Sequence, residues 1–160
     1  MIRVGIGYDS HRFAADRPLV LGGVTIPHSH GLMGHSDADA VAHAISDAML
    51  GAAGLGDIGR LFPDTDPAFR GADSLKILAD VSARVMSAGW ALQNADVTVI
   101  AEAPRLAPHV DAMQAALGRA LGVDAAMISV KAKTNEGMGF VGRGEGIAAI
   151  AVASLAAIAR

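Results

Sequence analysis

The chain has 160 residues, of which 52% are hydrophobic and 18% are charged, and its formal net charge is -3. It contains no cysteine, which excludes disulfides, thiolate metal sites and a cysteine nucleophile. The single Trp, the single Tyr and the weak negative charge argue against a nucleic-acid surface, which needs basic patches and stacking aromatic rings.

The length predicts one domain covering residues 1–160. The excess of apolar over charged residues predicts self-association, because closed oligomers are the usual way to bury such surface. The first residues alternate like a strand and show no signal-peptide pattern, so we expect a cytoplasmic protein. The apolar run from Ile147 to Ala159 is shorter than the roughly 20 residues that span a bilayer, so we expect no membrane segment.

The chain opens with a predicted strand and a hairpin. Apolar residues recur at every second position from Ile2 to Tyr8, and the polar segment from Asp9 to Arg12 follows at the end of this strand. Gly22 and Gly23 separate two short apolar runs, which predicts a tight turn in a small edge hairpin.

A helix is predicted next. Ser36 or Asp37 is expected to cap it, and it should run to about Ala53 and stop at Gly54. His43 lies within this helix.

The rest of the chain alternates helices and strands. Residues 56–71 have the Gly, Pro and Asp content of a long functional loop. The further predicted elements are a helix capped by Asp73 that runs to about Ala88, a strand at Ala95–Ala101, a helix at Pro108–Leu121 and a strand at Met127–Ala132. The Ala-rich C-terminal run is ambiguous, because its composition favours helix while its Ile and Val residues also suit a strand buried on both faces.

Asp9, His11 and His43 are candidate metal ligands. Residues two apart on a strand share a face, so Asp9 and His11 can combine with a histidine from a neighbouring helix. Three N or O ligands leave a coordination position open, as a catalytic zinc site requires. By spacing alone, an Asp-x-His pair is more often a hydrogen-bonded surface pair than part of a metal site.

The segment from His35 to Asp37 precedes the helix that carries His43. Amide groups at this helix N-terminus and the Ser36 hydroxyl predict a phosphate site. From these residues alone, however, the more frequent arrangement is that Ser36 only caps the helix and His35 faces solvent. Asp39 and Asp47 share a helical face with His43, where they either orient its imidazole or form a hydrated stripe, and hydration is our expectation for Asp47.

Two further segments contain groups suited to ligand binding. Asp57, Asp64 and Asp66 in the long loop can bind substrate hydroxyls or form Asx-turns, and a turn is our expectation for Asp66. The segment from Lys133 to Gly146 joins Thr and Glu to five glycines, so its backbone can approach a ligand while Glu136 offers an oxygen to a second cation. It lacks the P-loop and Rossmann glycine patterns.

Three blocks together resemble the 2-C-methyl-D-erythritol 2,4-cyclodiphosphate synthase family, and this resemblance covers essentially the whole chain. They are GYDSHRF at 7–13, GHSDADAVAHAISDAMLGAAGLGDIGRLFPDTDPAFRGADS at 34–74 and KTNEGMGFVGRGEGIA at 133–148. Long blocks in the family's order are more specific than any single motif.

The resemblance implies an intramolecular phosphoryl transfer in the non-mevalonate isoprenoid pathway. 4-Diphosphocytidyl-2-C-methyl-D-erythritol 2-phosphate would be cyclised to 2-C-methyl-D-erythritol 2,4-cyclodiphosphate with release of CMP. It also implies Zn²⁺ on Asp9, His11 and His43, and a second cation, Mg²⁺ or Mn²⁺, on Glu136 and the diphosphate. His35 and Thr134 match the family's transition-state stabilisers.

The substrate contacts implied by the resemblance fall in several short segments. They are Asp9, Ser10, His11, His35 and Ser36; Asp57, Ile58 and Gly59; Phe62, Pro63, Asp64, Thr65 and Asp66; Ala101, Glu102, Ala103, Pro104, Arg105, Leu106 and Ala107; Lys133, Thr134, Asn135 and Glu136; and Phe140 and Arg143. The cytidine end is expected at 101–107 and 133–136, partly from a neighbouring subunit. Arg105 stands where lysine is common in the family, and Lys133 where threonine is common.

The implied fold is α+β, with a mixed four-stranded sheet, helices on one face and a small edge hairpin. Three subunits would pack around their sheets, with an isoprenoid diphosphate as a further ligand of the interior. Two alternative functions remain open from the residues alone: a zinc-dependent hydrolase, which would use the same ligands to activate water, and a non-catalytic diphosphate- or isoprenoid-binding protein.

Overall fold

A computed structural model of the chain describes residues 1–159. The strands and helices are β1 Ile2–Ala14, β2 Leu19–Leu21, β3 Val24–Ile26, β4 Gly31–Leu32, α1 Ala40–Ala53, α2 Ile58–Leu61, α3 Ser74–Ser87, β5 Trp90–Ile100, α4 Val110–Leu121, β6 Ile128–Lys133, α5 Gly139–Gly142 and β7 Gly146–Ala157. Short 3₁₀ turns occur at Pro67–Phe69, Ala107–His109 and Ala125–Met127.

The main sheet is mixed, with the strand order β4-β1-β7-β5-β6. β7 is antiparallel to both β1 and β5, and β5 is parallel to β6. The strands β1, β5 and β6 therefore run in the same direction, and their carboxyl ends lie at one end of the sheet. The predicted α+β class is confirmed. The predicted number of strands is one too few, because the two-residue β4 adds a fifth strand beside the end of β1.

The hairpin of β2 and β3 is a separate two-stranded sheet rather than an edge of the main one. Gly22 and Gly23 form its turn with φ angles of 57° and 73°, and residues with a Cβ rarely adopt such positive φ angles. The carboxylate of Asp39 accepts hydrogen bonds from both of their amides, at 2.9 and 2.7 Å. The turn is therefore attached to the start of α1.

Helix α1 begins two or three residues later than an Asp37 or Ser36 cap would place it. Asp39 is the N-cap, and its carboxylate accepts from the amides of Val41 and Ala42, both at 3.1 Å. The prediction of Ser36 or Asp37 as the cap was wrong, because those two side chains bond to other groups near the helix start. Gly54 ends the helix in the left-handed conformation, as predicted.

The side of β1 that faces α1 carries glycine at two successive inward positions. A Cβ on Gly5 would lie 2.1 Å from the carbonyl oxygen of Ala48, and one on Gly7 would lie 1.9 Å from that of Ala44. No side chain fits at these distances, so strand and helix backbones are in direct contact.

The other face of the sheet is not covered by any helix of residues 1–159. Its exposed apolar side chains, with their exposed fractions, are Ile2 70%, Val4 65%, Ile6 70% and Tyr8 54% on β1, and Ile150 37% and Val152 41% on β7. The C-terminal run is thus a strand, but within one chain it is buried on one face only along this part.

The remaining elements agree with the sequence patterns apart from their limits. Asp73 caps α3 and Gly122 ends α4. Strand β5 begins at Trp90 rather than Ala95, and the loop at 56–71 contains α2 and a 3₁₀ turn. The short helix α5 in the Gly-rich segment was not predicted. Within residues 1–159, no helix is both long enough and apolar enough to cross a membrane.

The contact between β1 and α1 makes a specific prediction for stability. Gly7→Ala should lower the free energy of unfolding by about 1–3 kcal/mol, because the added methyl group must separate two backbones. Chemical denaturation measures this change.

Gly51→Ala is the matched control, since Gly51 is exposed and lies within α1. Apart from its own helix backbone, no heavy atom of the described chain comes within 4 Å of a Cβ at this position. This variant should be more stable than the parent by about 0.5–1 kcal/mol. Equal effects of the two substitutions would contradict the proposed packing.

Candidate metal centre and active site

The three predicted metal ligands lie together where β1 meets α1. Asp9 and His11 continue the two-residue period of Gly5 and Gly7 and so face the helix. Asp9 Oδ2 is 2.8 Å from His11 Nε2 and 3.0 Å from His43 Nδ1. His11 Nε2 and His43 Nδ1 are 3.3 Å apart. These side chains form a candidate site for one metal ion.

The donor set fits a metal with N and O ligands. A tetrahedral zinc with bonds of roughly 2.0–2.1 Å has ligand atoms about 3.3 Å apart, close to the separations of 2.8, 3.0 and 3.3 Å found here. Two imidazoles and one carboxylate also leave a fourth position for a substrate oxygen. The predicted three-ligand arrangement is therefore present.

Each imidazole has one nitrogen that points away from the cluster, and contacts at that nitrogen orient the ring. His11 Nδ1 is 2.7 Å from the carbonyl oxygen of Met33, and a carbonyl only accepts, so Nδ1 carries the hydrogen and Nε2 faces the other ligands. His43 Nε2 is 2.9 Å from the hydroxyl of Ser74 and 3.3 Å from that of Ser36.

Opposing effects set the ionisation of the site. Burial acts to raise the pKa of Asp9, but hydrogen bonds and charge from His11 and His43 outweigh it, so the pKa lies well below its usual value. Burial likewise acts to lower the pKa of His11, but its hydrogen bond and charge interaction with Asp9 raise the pKa above the usual value. Asp9 is therefore held in the ionised form that a metal ligand requires.

A cavity of about 380 Å³ opens beside the three ligands. Nine further residues line this cavity. Seven of them were predicted as site residues or lie next to a predicted one, and two were not predicted. The lining residues besides the ligands are Gly34, His35, Ser36, Ile58, Gly59, Phe62, Asp64, Phe69 and Ile77. Nothing in the sequence marks Phe69 and Ile77 as site residues. Phe69 is an aromatic residue in a loop beside a turn, and Ile77 occupies an ordinary apolar position of α3.

Asp57 and Asp66 do not line this cavity, but they stabilise the loop that contributes to its wall. Asp57 caps α2 by accepting from the amide of Arg60 at 3.0 Å, and Asp66 caps the next 3₁₀ turn, as expected. His35 Nε2 lies 3.1 Å from the carbonyl oxygen of Asp66. Pro63 and Thr65 lie between Phe62 and Asp66 but are not part of the lining.

Asp47 is not a hydrated member of a helix stripe, and that prediction was wrong. Its carboxylate accepts from the amide of Ile58 at 2.8 Å, which fixes the start of α2 against α1. Ile58 and Gly59 are held at the cavity by this bond.

The predicted cytidine-end residues form a second group, at the carboxyl ends of β5 and β6. The pairing of Ile100 with Lys133 brings the segments 101–107 and 133–136 together. Glu102 Oε1 accepts from the amides of Asn135 and Gly137, at 2.8 and 3.3 Å. Thr134 Oγ1 donates to Glu136 Oε1 at 3.1 Å.

This second group does not share the metal cavity within one chain. Of residues 101–107 and 133–136, none lines that cavity, and Glu136 does not belong to the three-ligand cluster. Thr134 and His35, the two predicted catalytic residues, are therefore in different groups.

Ser10 and Phe140 meet in another cavity, of about 260 Å³, which His11 also borders. Arg143 lies nearby in the chain and pairs with Glu145 at 2.7 Å. The hydrogen bond from Arg143, together with its charge, lowers the pKa of Glu145.

The sequence and the fold agree with comparisons to known proteins. A model of the YgbB family matches residues 2–156. The chain belongs to the YgbB family. A 2-C-methyl-D-erythritol 2,4-cyclodiphosphate synthase of Bordetella petrii is 62% identical over 154 residues, which cover 96% of this chain and 95% of that protein. The family predicted from the three sequence blocks is thus confirmed.

Solved structures related to this YgbB-family chain have the same fold. The bifunctional IspDF of Campylobacter jejuni matches with a TM-score of 0.95 and 44% identity, covering 99% of this chain and 43% of that one. IspF of Plasmodium falciparum, in a complex with CDP, matches with a TM-score of 0.86 and 32% identity, covering 99% of this chain and 97% of that one.

Metal content tests the ligand cluster directly. His43→Ala removes one of three ligands, so the purified variant should lose tightly bound divalent metal, measured by elemental mass spectrometry. His30→Ala is the control, because His30 is exposed and lies outside the cluster. Equal metal retention in the two variants would show that the cluster is not the binding site.

Proposed function

We propose that this chain converts 4-diphosphocytidyl-2-C-methyl-D-erythritol 2-phosphate to 2-C-methyl-D-erythritol 2,4-cyclodiphosphate and CMP. The activity is that of a cyclising phosphorus–oxygen lyase in isoprenoid biosynthesis. Two relatives named for this synthase are 62% and 58% identical to the chain. The observation that carries the proposal is the three-ligand cluster beside a cavity of about 380 Å³ in a chain of this family.

The reaction needs positioning rather than a protein nucleophile. An oxygen of the substrate's 2-phosphate forms a bond to the β-phosphorus, while the bond from that phosphorus to the bridging oxygen breaks and the oxygen leaves with CMP. Catalysis of such a transfer depends on alignment and on charge stabilisation. The absence of cysteine is therefore no obstacle.

Asp9, His11 and His43 would hold Zn²⁺, and Glu136 would hold a second divalent cation, Mg²⁺ or Mn²⁺. Bound cations of this kind supply Lewis-acid stabilisation to phosphate oxygens. His11 and His43 present nitrogen lone pairs, and Asp9 presents a carboxylate that is kept ionised by its neighbours.

The residues divide between the two ends of the substrate. Ile58, Gly59, Phe62 and Asp64 line the metal cavity and would receive the methylerythritol phosphate. His35 and Ser36, on the same cavity, would donate to its phosphate oxygens. The segments 101–107 and 133–136, with Thr134 as the second stabiliser, would bind the cytidine and its phosphates.

A homotrimer would join these two groups into complete sites. The metal cluster and the cytidine group lie at the same end of the sheet, yet they do not share a cavity in one chain. The uncovered apolar face of β1 and β7 supports packing of sheets against one another. An interior lined by such residues would also suit the hydrocarbon tail of an isoprenoid diphosphate.

The assembly can be tested on the exposed face of β1. Ile6→Lys places a charge on the predicted interface and should shift the protein from trimer to smaller species in analytical ultracentrifugation. Met86→Lys is the control, since Met86 is also well exposed, at 57% against 70% for Ile6, but lies on α3. A trimer that persists in Ile6→Lys, or a monomeric parent, would contradict this part of the proposal.

The activity can be followed by phosphorus NMR with the diphosphocytidyl substrate and magnesium. We expect cyclic diphosphate and CMP, loss of both on removal of zinc, and recovery when zinc is restored. Open-chain phosphates would indicate the hydrolase alternative, and absence of turnover in the metal-loaded parent would indicate the binding-protein alternative.

Two variants sharpen this assay. His43→Ala removes a metal ligand itself, so it should lower turnover by more than roughly 100-fold. That figure is the upper end of the usual loss when only a hydrogen-bond partner of a ligand is removed. Asp66→Ala should lower it by less than about tenfold, because it removes a cap that is worth about 1 kcal/mol and leaves the carbonyl oxygen that faces His35. Comparable activity in both variants would refute the site assignment.

A further inference from the structure

His43 Nε2, the nitrogen that points away from the other metal ligands, contacts a buried serine that is itself bonded to an aspartate. Ser74, at the first turn of α3, is fully buried, and its Oγ lies 2.9 Å from His43 Nε2. The same hydroxyl donates to Asp37 Oδ1, and the Ser74 amide donates to Asp37 Oδ2 at 3.1 Å. His43, Ser74 and Asp37 therefore form a continuous chain of hydrogen bonds.

The donor and acceptor roles along this chain follow by elimination. An ionised carboxylate only accepts, so the single hydroxyl hydrogen of Ser74 is directed to Asp37. The Ser74 oxygen can then only accept at its other side. It requires a hydrogen on His43 Nε2, which leaves the Nδ1 lone pair directed at Asp9 and His11.

We propose that Ser74 and Asp37 are positioning residues for the metal centre, and that they set its metal affinity by holding His43 with Nε2–H as donor and Nδ1 as ligand. The inference deepens the proposed function, because it rests on the metal centre formed by Asp9, His11 and His43. Asp37 acts through Ser74, by keeping its hydroxyl oxygen available as an acceptor.

Ser36 is a weaker hydrogen-bond partner for His43 than Ser74 is. Its Oγ is farther from His43 Nε2, at 3.3 Å, and already accepts from the amide of Ala38 at 3.1 Å. The start of α3 is also fixed relative to the segment before α1. The Asp37 amide donates to the Ala72 carbonyl at 3.1 Å, and the Gly71 amide donates to the His35 carbonyl at 2.7 Å.

The first measurement is zinc affinity, by competition with a chromophoric chelator in the absence of substrate. Ser74→Ala should weaken zinc binding by roughly 10- to 100-fold, the usual effect of removing an outer partner of a ligating histidine. Asp73→Ala is the matched control. Asp73 caps the same helix through the Leu75 amide at 2.9 Å and is exposed, so its loss should leave zinc affinity unchanged.

The second measurement is the exchange of the His43 Nε2 hydrogen in the zinc-loaded protein, observed by NMR on a histidine-labelled sample. The parent should show a slowly exchanging hydrogen on Nε2, and Asp37→Ala should accelerate its exchange and weaken zinc binding in the same direction as Ser74→Ala. Because the parent and Asp37→Ala provide this result, the test holds even if Ser74→Ala does not fold.

Three results would overturn the inference. They are unchanged zinc affinity in Ser74→Ala, an equal loss of affinity in Asp73→Ala, or coordination of zinc through Nε2 of His43 in the parent. Neither readout uses substrate, so a protein that binds zinc as expected but makes no cyclic product would refute the proposed function and leave the positioning pair intact.

Discussion

The close contact between β1 and α1 is the constraint on which the rest of the site depends. Gly5 and Gly7 leave no side chains between the strand and the helix, and their Cα atoms pack against the carbonyls of Ala48 and Ala44. Asp9 is the next inward residue of the strand, and His43 directly precedes Ala44. Because an Asp side chain is short, the carboxylate reaches the imidazole at 3.0 Å only if the two backbones are this close. The ligand cluster is thus a consequence of backbone packing.

Carboxylates around the same helix organise its surroundings. Asp39 holds the turn of the hairpin, Asp37 holds the start of α3, and Asp47 holds the start of α2, in each case by accepting backbone amides. Buried or half-buried carboxylates need such donors, since an unpaired buried charge is costly. These carboxylates, two just before α1 and one within it, therefore connect three neighbouring segments to the helix that carries His43, and two of these segments line the cavity.

Much of this arrangement can be predicted from local patterns, and the exceptions have physical causes. The alternation in β1, the Gly22-Gly23 turn and the Gly54 stop depend on nearby residues only. The cap of α1 was misplaced because Ser36, Asp37 and Asp39 are all good capping residues, and the choice between them is made by Ser74 and the hairpin, which are distant in sequence. Tertiary contacts likewise made Asp47 a connector rather than a hydrated side chain.

Other features were beyond any local pattern. The two-residue β4 is too short to give a periodic signal, and Ile77 looks like an ordinary core position until the loop folds over it. The three metal ligands were only a weak motif by spacing, since Asp9 and His43 are 34 positions apart. The resemblance of long blocks identified them, and the packing of glycine against α1 now gives the physical reason why they meet.

The sheet direction explains why the remaining site residues stay apart in one chain. β1 and β5 run the same way with β7 between them, so Asp9 lies level with Ala149, which in turn pairs with Val99. The ligands and the cytidine group therefore share one end of the sheet but are separated by a strand. Asp9 and His11 also face α1, whereas the side chains that alternate with them face the open apolar side. In the proposed trimer, a second sheet packed against that side would bury Ile6 and Tyr8, and self-association would then account for both the uncovered face and the divided site.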